Sequence, residues 1–323
     1  MNSLPEKPFF IVGHPRSGTT LLRFILSSHP RIYIPEETGF IPFLPYSRQA
    51  NITFKEFLKI LDRVGTLNYL WKDVLGSPQE FYDALPQKNL AHILDGLYRI
   101  QITPYNAVRW GDKTPLYVQY IKSIDAIFPQ AQFIHLIRDG RDTLLSARKK
   151  WPDHRYYRNG YYLIKNWTRN VSAGRTAAHW LGPERYLEIR YEDLVTSPRS
   201  TTQEICAFLG EPFFETMLDH TQLANKVGPG PDNHREILRP ISKNSLYRWK
   251  TELSLYERKM TLRAAGDLFR SLDYEIEALP PMQWNESLHY MGRRIEFLLL
   301  DSLRSILYKT GLLTLNRTMR KEK

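Results

Sequence analysis

The first residues able to do chemistry form a short polar string between an apolar run at 9–13 and a helical pattern at 19–28. A glycine-bearing turn that enters a helix points several backbone N–H groups at one place, where the helix dipole also favours an anion. Arg16 adds a positive charge to this turn. Side-chain hydroxyls and a second glycine follow it, and the string therefore predicts a phosphate-binding loop, with Ser17, Gly18, Thr19 and Thr20 as further ligands.

The spacing of the two loop glycines, Gly13 and Gly18, is that of a Walker A motif, but Thr19 stands where that motif has its lysine. The missing lysine normally reaches the β- and γ-phosphates of a nucleoside triphosphate. Its absence favours a ligand with a single 5′ phosphate-like group. A P-loop kinase or NTPase remains the alternative interpretation of this loop.

A second segment further along the chain has the same arrangement, in which polar residues connect a strand to a helix. The predicted strand 132–137 ends in Arg138, Asp139 can cap the helix that follows, and Ser146 lies two turns along that helix. An arginine at a strand end and a serine on the next helix can bind one further phosphate. By itself such a string is weak evidence for a phosphate site, because charged strand ends are usually solvated. Together with the first loop it predicts a second phosphate site.

In this order and spacing the two segments resemble those of the sulfotransferases that use 3′-phosphoadenosine 5′-phosphosulfate (PAPS). Residues 15–21 look like the family's loop for the 5′-phosphosulfate, and residues 138–146 look like its segment for the 3′-phosphate. The motifs agree best with tyrosylprotein sulfotransferases and related Golgi and bacterial enzymes. The resemblance covers residues 8–275 and implies a PAPS-dependent sulfotransferase.

The resemblance also implies two catalytic positions. The family's catalytic glutamate lies in a Glu-Glu-Thr string after the first helix, and in the string at 36–38 Glu37 takes that place. The family's active-site lysine precedes the second phosphate strand, as Lys113 does here. On residue type alone, Glu37 could instead belong to a helix N-terminal acidic pair, and Lys113 could be a surface lysine.

Further nucleotide contacts follow from the same resemblance. Tyr191 matches a tyrosine that helps to hold the nucleotide, although core packing would also explain a tyrosine there. A late basic loop that covers the nucleotide corresponds to the segment with Arg239 and Arg248. Three positions depart from the family: Asn233 falls near its active-site serine, Lys150 stands where an arginine is expected, and Gly39 replaces a substrate-binding arginine.

The implied reaction needs no metal cluster, and no tight group of metal-ligating side chains is evident in the sequence. As the attacking oxygen bonds to sulfur, Glu37 would accept the acceptor's hydroxyl proton. Lys113 and Arg16 would stabilise the leaving oxygen. The acceptor is left open among a carbohydrate, a phenolic or tyrosyl group, a lipid and a small molecule, and its walls are expected in the helices at 54–101 and in segment 151–157.

Short apolar strands alternate along the chain with amphipathic helices, for which we expect 54–64, 78–101, 117–128, 160–180 and 253–271. With strands at 32–35, 108–110 and 186–191 as well, this pattern predicts an α/β fold. We expect a P-loop-type parallel sheet flanked by helices on both faces. Ligands of such sheets bind at the carboxyl ends of the strands. His135, inside an apolar strand, is expected to be a core histidine.

The composition is that of a globular protein, with 42% hydrophobic residues and a formal net charge of +11 that favours an anionic partner. The single Cys206 fits a reducing compartment, and neither a secretion signal nor an apolar stretch of membrane-spanning length is recognisable. We therefore expect a cytoplasmic protein that can be peripheral to a membrane. A nucleic-acid-binding module is a weaker alternative, since no such motif is visible, and a sulfotransferase fold without turnover is another.

Two regions are predicted, a sulfotransferase domain at 1–280 and a basic amphipathic helical extension at 281–323. From residue 288 onward the extension has eight Lys and Arg against three acidic residues, and apolar residues recur along one helix face. Three interpretations stay open. The helix packs on the catalytic domain and ends in a basic tail, it contacts an anionic membrane, or it forms a homodimer.

Overall fold

The sheet has five parallel strands in the order β2-β3-β1-β4-β5. The computed structural model describes residues 7–44, 51–67, 75–153, 155–228 and 235–309. The strands are short, and all except β3, in which three of the five residues are charged, are mostly apolar, as expected for strands covered on both faces. The bounds are β1 Phe9–Gly13, β2 Ile32–Tyr33, β3 Arg109–Lys113, β4 Gln132–Ile137 and β5 Tyr186–Arg190.

Helices make up most of the remaining described residues. The α-helices are α1 Thr19–Ser27, α2 Phe54–Leu67, α3 Pro78–Ala84, α4 Leu90–Ile102, α5 Ile121–Ile127, α6 Gly140–Lys150, α7 Gly160–Leu181, α8 Tyr191–Thr196, α9 Pro198–Leu209, α10 His220–Val227, α11 Trp249–Glu252, α12 Leu255–Ser271 and α13 Trp284–Lys309. Short 3-10 helices lie at Ile41–Phe43, Thr103–Tyr105, Pro115–Gln119, Arg155–Arg158, Glu215–Leu218 and Arg235–Leu238. None of the helices, over the ranges described, is long and apolar enough to cross a membrane. The expected cytoplasmic location stays a prediction.

Side chains of the central strand alternate between two hydrophobic cores. Phe10 and Val12 of β1 pack with residues of α4 and α5, whereas Phe9 and Ile11 pack with residues of α1 and α9. Because successive strand residues point to opposite faces, one five-residue strand supports both layers. The predicted α/β fold with helices on both faces of a parallel sheet is confirmed.

The chain divides into two compact units. The first comprises Met1–Arg138 and Asn170–Asn244 and contains the sheet, and the second comprises Asp139–Arg169 and Ser245–Lys323. Inside the second unit, the buried Arg141 guanidinium lies 3.5 Å from the ring centroid of Trp249 and is paired with Asp139. The predicted boundary at residue 280 stays a prediction.

Several predicted element boundaries are corrected. The helix expected over 78–101 is interrupted between α3 and α4, because Pro86 cannot continue a helix and Asn89 caps the next one by accepting from the backbone N–H of His92. The strand expected over 32–35 ends at Tyr33, since the N–H of Ile34 donates to the Ser27 hydroxyl instead of to the sheet.

Two further boundaries move by a few residues. The helix expected over 117–128 begins as the 3-10 helix Pro115–Gln119 and becomes α-helical at Ile121–Ile127. The last strand ends at Arg190, and Tyr191 begins α8. The helix cap predicted at Asp139 is confirmed, because its carboxylate accepts from the N–H of Arg141 at 2.9 Å.

The core histidine predicted in β4 is confirmed, and it makes folding sensitive to acid. His135 is fully buried beside the Tyr186 hydroxyl, 2.5 Å from Nδ1, and burial lowers its pKa to about 3. Below pH 6.5 the unfolded chain binds a proton that the folded chain excludes, so the free energy of unfolding falls as the pH falls from about 6.5 towards 3.

Between pH 7 and pH 5, the buried histidine should lower the free energy of unfolding of the wild type by about 2 kcal/mol. The variant His135→Gln should not show this part of the loss. Urea denaturation of wild type and variant at both pH values measures this difference. The exposed His179, replaced in the same way, is the matched control. A His135→Gln protein with the wild-type pH dependence would contradict the assignment.

Candidate functional site

Five of the predicted site positions lie at or just after the carboxyl ends of the five strands. Arg16 lies in the loop after β1, Glu37 comes four residues after β2, and Lys113 is the last residue of β3. Arg138 directly follows β4, and Tyr191 directly follows β5. Because all strands are parallel, these ends share one edge of the sheet, where such folds bind their ligands.

The loop after β1 has the backbone of an anion-binding turn. Gly18 caps α1 in a left-handed conformation (φ 91°), and Arg16 also has a positive φ of 71°. Ser17 is fully buried, and its hydroxyl has no hydrogen-bond partner among the described residues. A buried hydroxyl at a helix N-terminus without a protein partner fits a loop that binds a phosphate-like group.

Three predicted nucleotide-binding residues lie together at this loop. The Arg138 guanidinium donates from Nη1 to the carbonyl oxygen of Arg16 at 3.2 Å and lies 4.6 Å from the ring centroid of Tyr191. The Tyr191 ring packs so closely on Gly18 that a Cβ atom added there would be 2.3 Å from the ring. Arg138 and the Tyr191 ring therefore both contact the loop that follows β1.

The two predicted catalytic side chains contact each other beside the same loop. Lys113 is buried, and its ammonium group forms an ion pair with the Glu37 carboxylate and lies 3.4 Å from the Thr20 hydroxyl. Glu37 keeps 36% of its side chain exposed. The carboxylate is thus open to an incoming molecule, whereas the ammonium group is fixed between the carboxylate and the phosphate loop.

A buried polar network that was not predicted holds these two residues in place. The Thr38 hydroxyl donates to Asp112 at 2.5 Å and contacts the Tyr117 hydroxyl at 2.9 Å, and Tyr98 donates to the same carboxylate. Burial raises the pKa of Asp112, and these hydrogen bonds oppose the shift. Thr38 and Asp112 directly adjoin Glu37 and Lys113 in the sequence, so the network fixes the backbone on both sides of the ion pair.

The segment that leads to Glu37 is anchored to α1. Arg23 is buried and donates from Nε to the carbonyl oxygen of Ile34 at 2.8 Å. Ser27 accepts from the N–H of the same residue. The helix that begins at the phosphate loop therefore also positions the acidic string, which sequence spacing alone could not reveal.

A second feature that sequence reasoning missed is His14 in the loop. It is buried, and its Nδ1 lies 2.8 Å from the Asn170 side-chain amide, which in turn accepts from Gln119 at 2.5 Å. Burial lowers the pKa of His14 to about 3, so the imidazole is neutral near pH 7. The positive charge of the loop therefore comes from Arg16, not from the histidine.

The other predicted nucleotide-binding positions lie on helix α1, after a 3-10 helix of the first unit, and in the second unit. Thr19 is the buried first residue of α1. Arg239 is exposed and follows the 3-10 helix whose Ile237 packs with Phe24 of α1. In the second unit, Ser146 is half-buried on α6, and Arg248 pairs with Glu252. Their nucleotide contacts stay predictions, and Asn233 lies outside the described residues.

No three His, Cys, Asp or Glu side chains in the described ranges lie close enough together to hold a metal ion. Metal-independent catalysis stays a prediction. The lone cysteine is buried, as expected: Cys206 packs in the core beside Met217, and burial raises the pKa of its thiol to about 11.

The sheet order, the loop after β1 and the flanking helices define a P-loop-type α/β fold. The sulfotransferase family model matches residues 8–215, and the chain belongs to that family. It is 27% identical to protein-tyrosine sulfotransferase 1 of Danio rerio over 291 residues, 84% of this chain and 73% of the relative. With protein-tyrosine sulfotransferase 2 of Gallus gallus it shares 28% over 251 residues, 74% of this chain but only 62% of the relative.

A solved structure agrees with this fold. The sulfotransferase domain of the Synechococcus PCC 7002 olefin synthase superposes with a TM-score of 0.61 at 22% identity, over 86% of this chain and 98% of that domain. The sulfotransferase family and fold predicted from the sequence are confirmed. A P-loop kinase or NTPase is not favoured.

Proposed function

We propose that this protein transfers a sulfonate group from PAPS to a hydroxyl group of an acceptor. The observation that carries the proposal is the contact of Lys113 with both Glu37 and Thr20, because it joins a candidate base and a cation to the phosphate loop. Sulfonate transfer needs an acceptor base on one side of the sulfur and positive charge on the leaving oxygen.

The residues at the loop fit the donor. Backbone N–H groups at the start of α1, with Arg16 and the hydroxyl of Ser17, would bind the 5′-phosphosulfate. Arg138 would bind the 3′-phosphate, with Tyr191 supporting its guanidinium. Ser146, Arg239 and Arg248 are proposed as additional nucleotide ligands by family resemblance.

The proposed step breaks one bond to sulfur and makes another. Glu37 accepts the proton of the acceptor hydroxyl as the hydroxyl oxygen bonds to sulfur. The bond between sulfur and the bridging oxygen breaks, and Lys113 and Arg16 stabilise the negative charge that develops on that oxygen. The products are a sulfated acceptor and adenosine 3′,5′-bisphosphate.

The acceptor is proposed only as a hydroxyl compound: a carbohydrate, a phenolic or tyrosyl group, a lipid or a small molecule. The named relatives act on protein tyrosine. At the position of the family's substrate-binding arginine, Gly39 has a left-handed backbone (φ 67°) that an arginine would strain. Trp151 and Tyr157 stack with centroids 4.9 Å apart, and such flat aromatic surfaces suit sugars and phenols alike.

The donor is tested by isothermal titration with adenosine 3′,5′-bisphosphate in a metal-free buffer. We expect micromolar binding to wild type and a loss of about 100-fold for Arg138→Ala, because a buried charge-assisted contact to phosphate is worth about 2–3 kcal/mol. Arg175→Ala, a half-exposed arginine of the same unit that pairs with Glu188, is the matched control.

Two outcomes would contradict the proposal. Folded wild type that ignores the bisphosphate but binds ATP with magnesium would point to the kinase alternative. Equal losses in Arg138→Ala and Arg175→Ala would show that net charge, not a defined phosphate site, drives binding. A positive result leads to acceptor screening with PAPS across the four hydroxyl classes.

A further inference from the structure

Glu37 lies in a segment of the site that belongs to neither a helix nor a strand. Residues 34–40 connect β2 to the 3-10 helix Ile41–Phe43, and all of them are described. The backbone groups of such a segment are satisfied by side chains instead of by a ladder, and those side chains fix its path. Arg23 and Ser27 hold its first residue, Ile34. The position of the candidate base therefore depends on what holds the segment on the other side of Glu37.

Thr38 is the anchor on that side, and it contacts both sequence neighbours of Lys113. Its buried hydroxyl donates to Oδ2 of Asp112 at 2.5 Å. Its backbone N–H donates to the side-chain hydroxyl of Thr114 at 3.2 Å. Asp112 and Thr114 come directly before and after Lys113 in the sequence. One residue next to Glu37 therefore ties the acidic string to β3 on either side of the lysine.

The directions of the hydrogen bonds show that the Thr38 hydroxyl acts as a link. Its single proton goes to the Asp112 carboxylate, to which Tyr98 also donates. The Tyr117 hydroxyl, 2.9 Å from that of Thr38, must then be the donor of the pair, and its oxygen accepts from the N–H of Ile41 at 3.1 Å. The chain thus runs from the backbone beyond Glu37 through two hydroxyls to a carboxylate beside Lys113. Removal of the middle hydroxyl breaks it.

Loss of this anchor would move Glu37 more than Lys113. Lys113 is the last residue of β3, and its ammonium group also lies 3.4 Å from the Thr20 hydroxyl at the phosphate loop. Glu37 lies on the irregular segment, and 36% of its side chain is exposed. A displacement of about 1 Å at a reacting group can cost roughly 100-fold in rate. The rate of sulfonate transfer should therefore depend on Thr38, whereas nucleotide binding at the phosphate loop should not.

We propose that Thr38 is a positioning residue for sulfonate transfer, which acts through Glu37 and holds that carboxylate in register with Lys113. The inference rests on the proposed function, because it needs PAPS as the donor and Glu37 as the base. It assigns to Thr38 no contact with the donor or the acceptor. The hydroxyl of Thr38 is the group that matters, since it carries the bond to Asp112.

The test compares Thr38→Val, which keeps the shape and removes the hydroxyl, with Thr38→Ser, which keeps the hydroxyl. Transfer from saturating PAPS is measured on a panel of 4-nitrophenol, a tyrosine peptide, a disaccharide and a long-chain alcohol, and adenosine 3′,5′-bisphosphate is titrated separately. We expect Thr38→Val to lower kcat by about 10- to 100-fold at unchanged nucleotide affinity, and Thr38→Ser to restore most of the rate.

Thr202→Val is the matched control for this comparison. Thr202 is a fully buried threonine of α9, and its hydroxyl donates to the carbonyl oxygen of Pro198 at 2.6 Å. The same substitution there removes a buried hydrogen bond far along the chain from the acidic string. It should lower the free energy of unfolding and leave kcat as in wild type.

The outcomes separate this inference from the proposed function. Folded wild type that neither binds the bisphosphate nor sulfates any member of the panel overturns both. With an active wild type, the inference alone fails if Thr38→Val keeps its kcat, loses nucleotide affinity in step with the rate, or is not rescued by Thr38→Ser. An equal loss of kcat in Thr202→Val also overturns it. If Thr38→Val does not fold, Tyr117→Phe replaces it, because it removes only the hydroxyl that donates to Thr38, and the same split is expected.

Discussion

Replacing Glu37 by Gln is expected to lower kcat by about 10²- to 10⁴-fold, the usual contribution of a positioned general base. Glutamine keeps the size of the side chain but cannot take the proton of the acceptor hydroxyl. The carboxylate pairs with Lys113 and is 36% exposed, so its loss should leave the phosphate loop folded. The measurement is sulfonate transfer from PAPS at saturating donor, together with titration of adenosine 3′,5′-bisphosphate.

The neighbouring Glu36 supplies the matched control for this prediction. Glu36→Gln removes the same charge one residue away and is expected to keep kcat within a few-fold of wild type. If Glu36→Gln lowered kcat as much as Glu37→Gln does, the negative charge of the string at 36–38, and not proton transfer to Glu37, would explain the effect. Unchanged kcat in Glu37→Gln would contradict its role as the base.

The second large effect is expected for Gly18→Ala, which should weaken binding of adenosine 3′,5′-bisphosphate by about 2–4 kcal/mol, or roughly 30- to 1000-fold. An added Cβ atom would be 2.3 Å from the Tyr191 ring, and the backbone there has a φ of 91° that alanine adopts at a cost. Either the loop or the ring must move. Because that ring supports Arg138, both phosphate segments would be displaced.

A helical glycine far from any such contact is the control. At Gly266 an added Cβ atom would meet only the flexible guanidinium group of Arg270, at 3.9 Å. Gly266→Ala should keep nucleotide affinity and raise the free energy of unfolding by up to about 1 kcal/mol, since alanine favours the helix. Wild-type affinity in Gly18→Ala would show that the loop does not need close packing against Tyr191.

Sequence and structure contribute differently to these expectations. The alternation of short apolar strands with amphipathic helices was sufficient to predict the parallel sheet, because burial on both faces imposes that pattern. The string at 13–20 predicted the turn after β1, since glycine and hydroxyl residues before a helix are locally determined. Motif order then predicted the family, which the comparison confirms.

The local sequence pattern predicted element boundaries and buried contacts less reliably where segments distant in the chain determine them. The interruption at 85–89 depended on Pro86 and on the Asn89 cap, and the early end of β2 depended on a hydrogen bond from Ile34 to a side chain of α1. Neither the network of Thr38, Asp112, Tyr98 and Tyr117 nor the neutral state of His14 follows from spacing. These groups come from distant parts of the chain.

The sequence by itself therefore determined the fold class, because the pattern of strands and helices is local, and it predicted the phosphate loop from residue types in a short segment. The candidate base Glu37 and the candidate Lys113 came from the family resemblance, since residue type alone left other interpretations open. Only the tertiary structure decided that Lys113 pairs with Glu37, that Tyr191 packs against Gly18, and that large apolar side chains of α13 such as Leu299 are exposed. The physical reason is that pairing and exposure depend on which segments meet in space. The spacing of side chains along a helix or strand does not specify which other element packs against it.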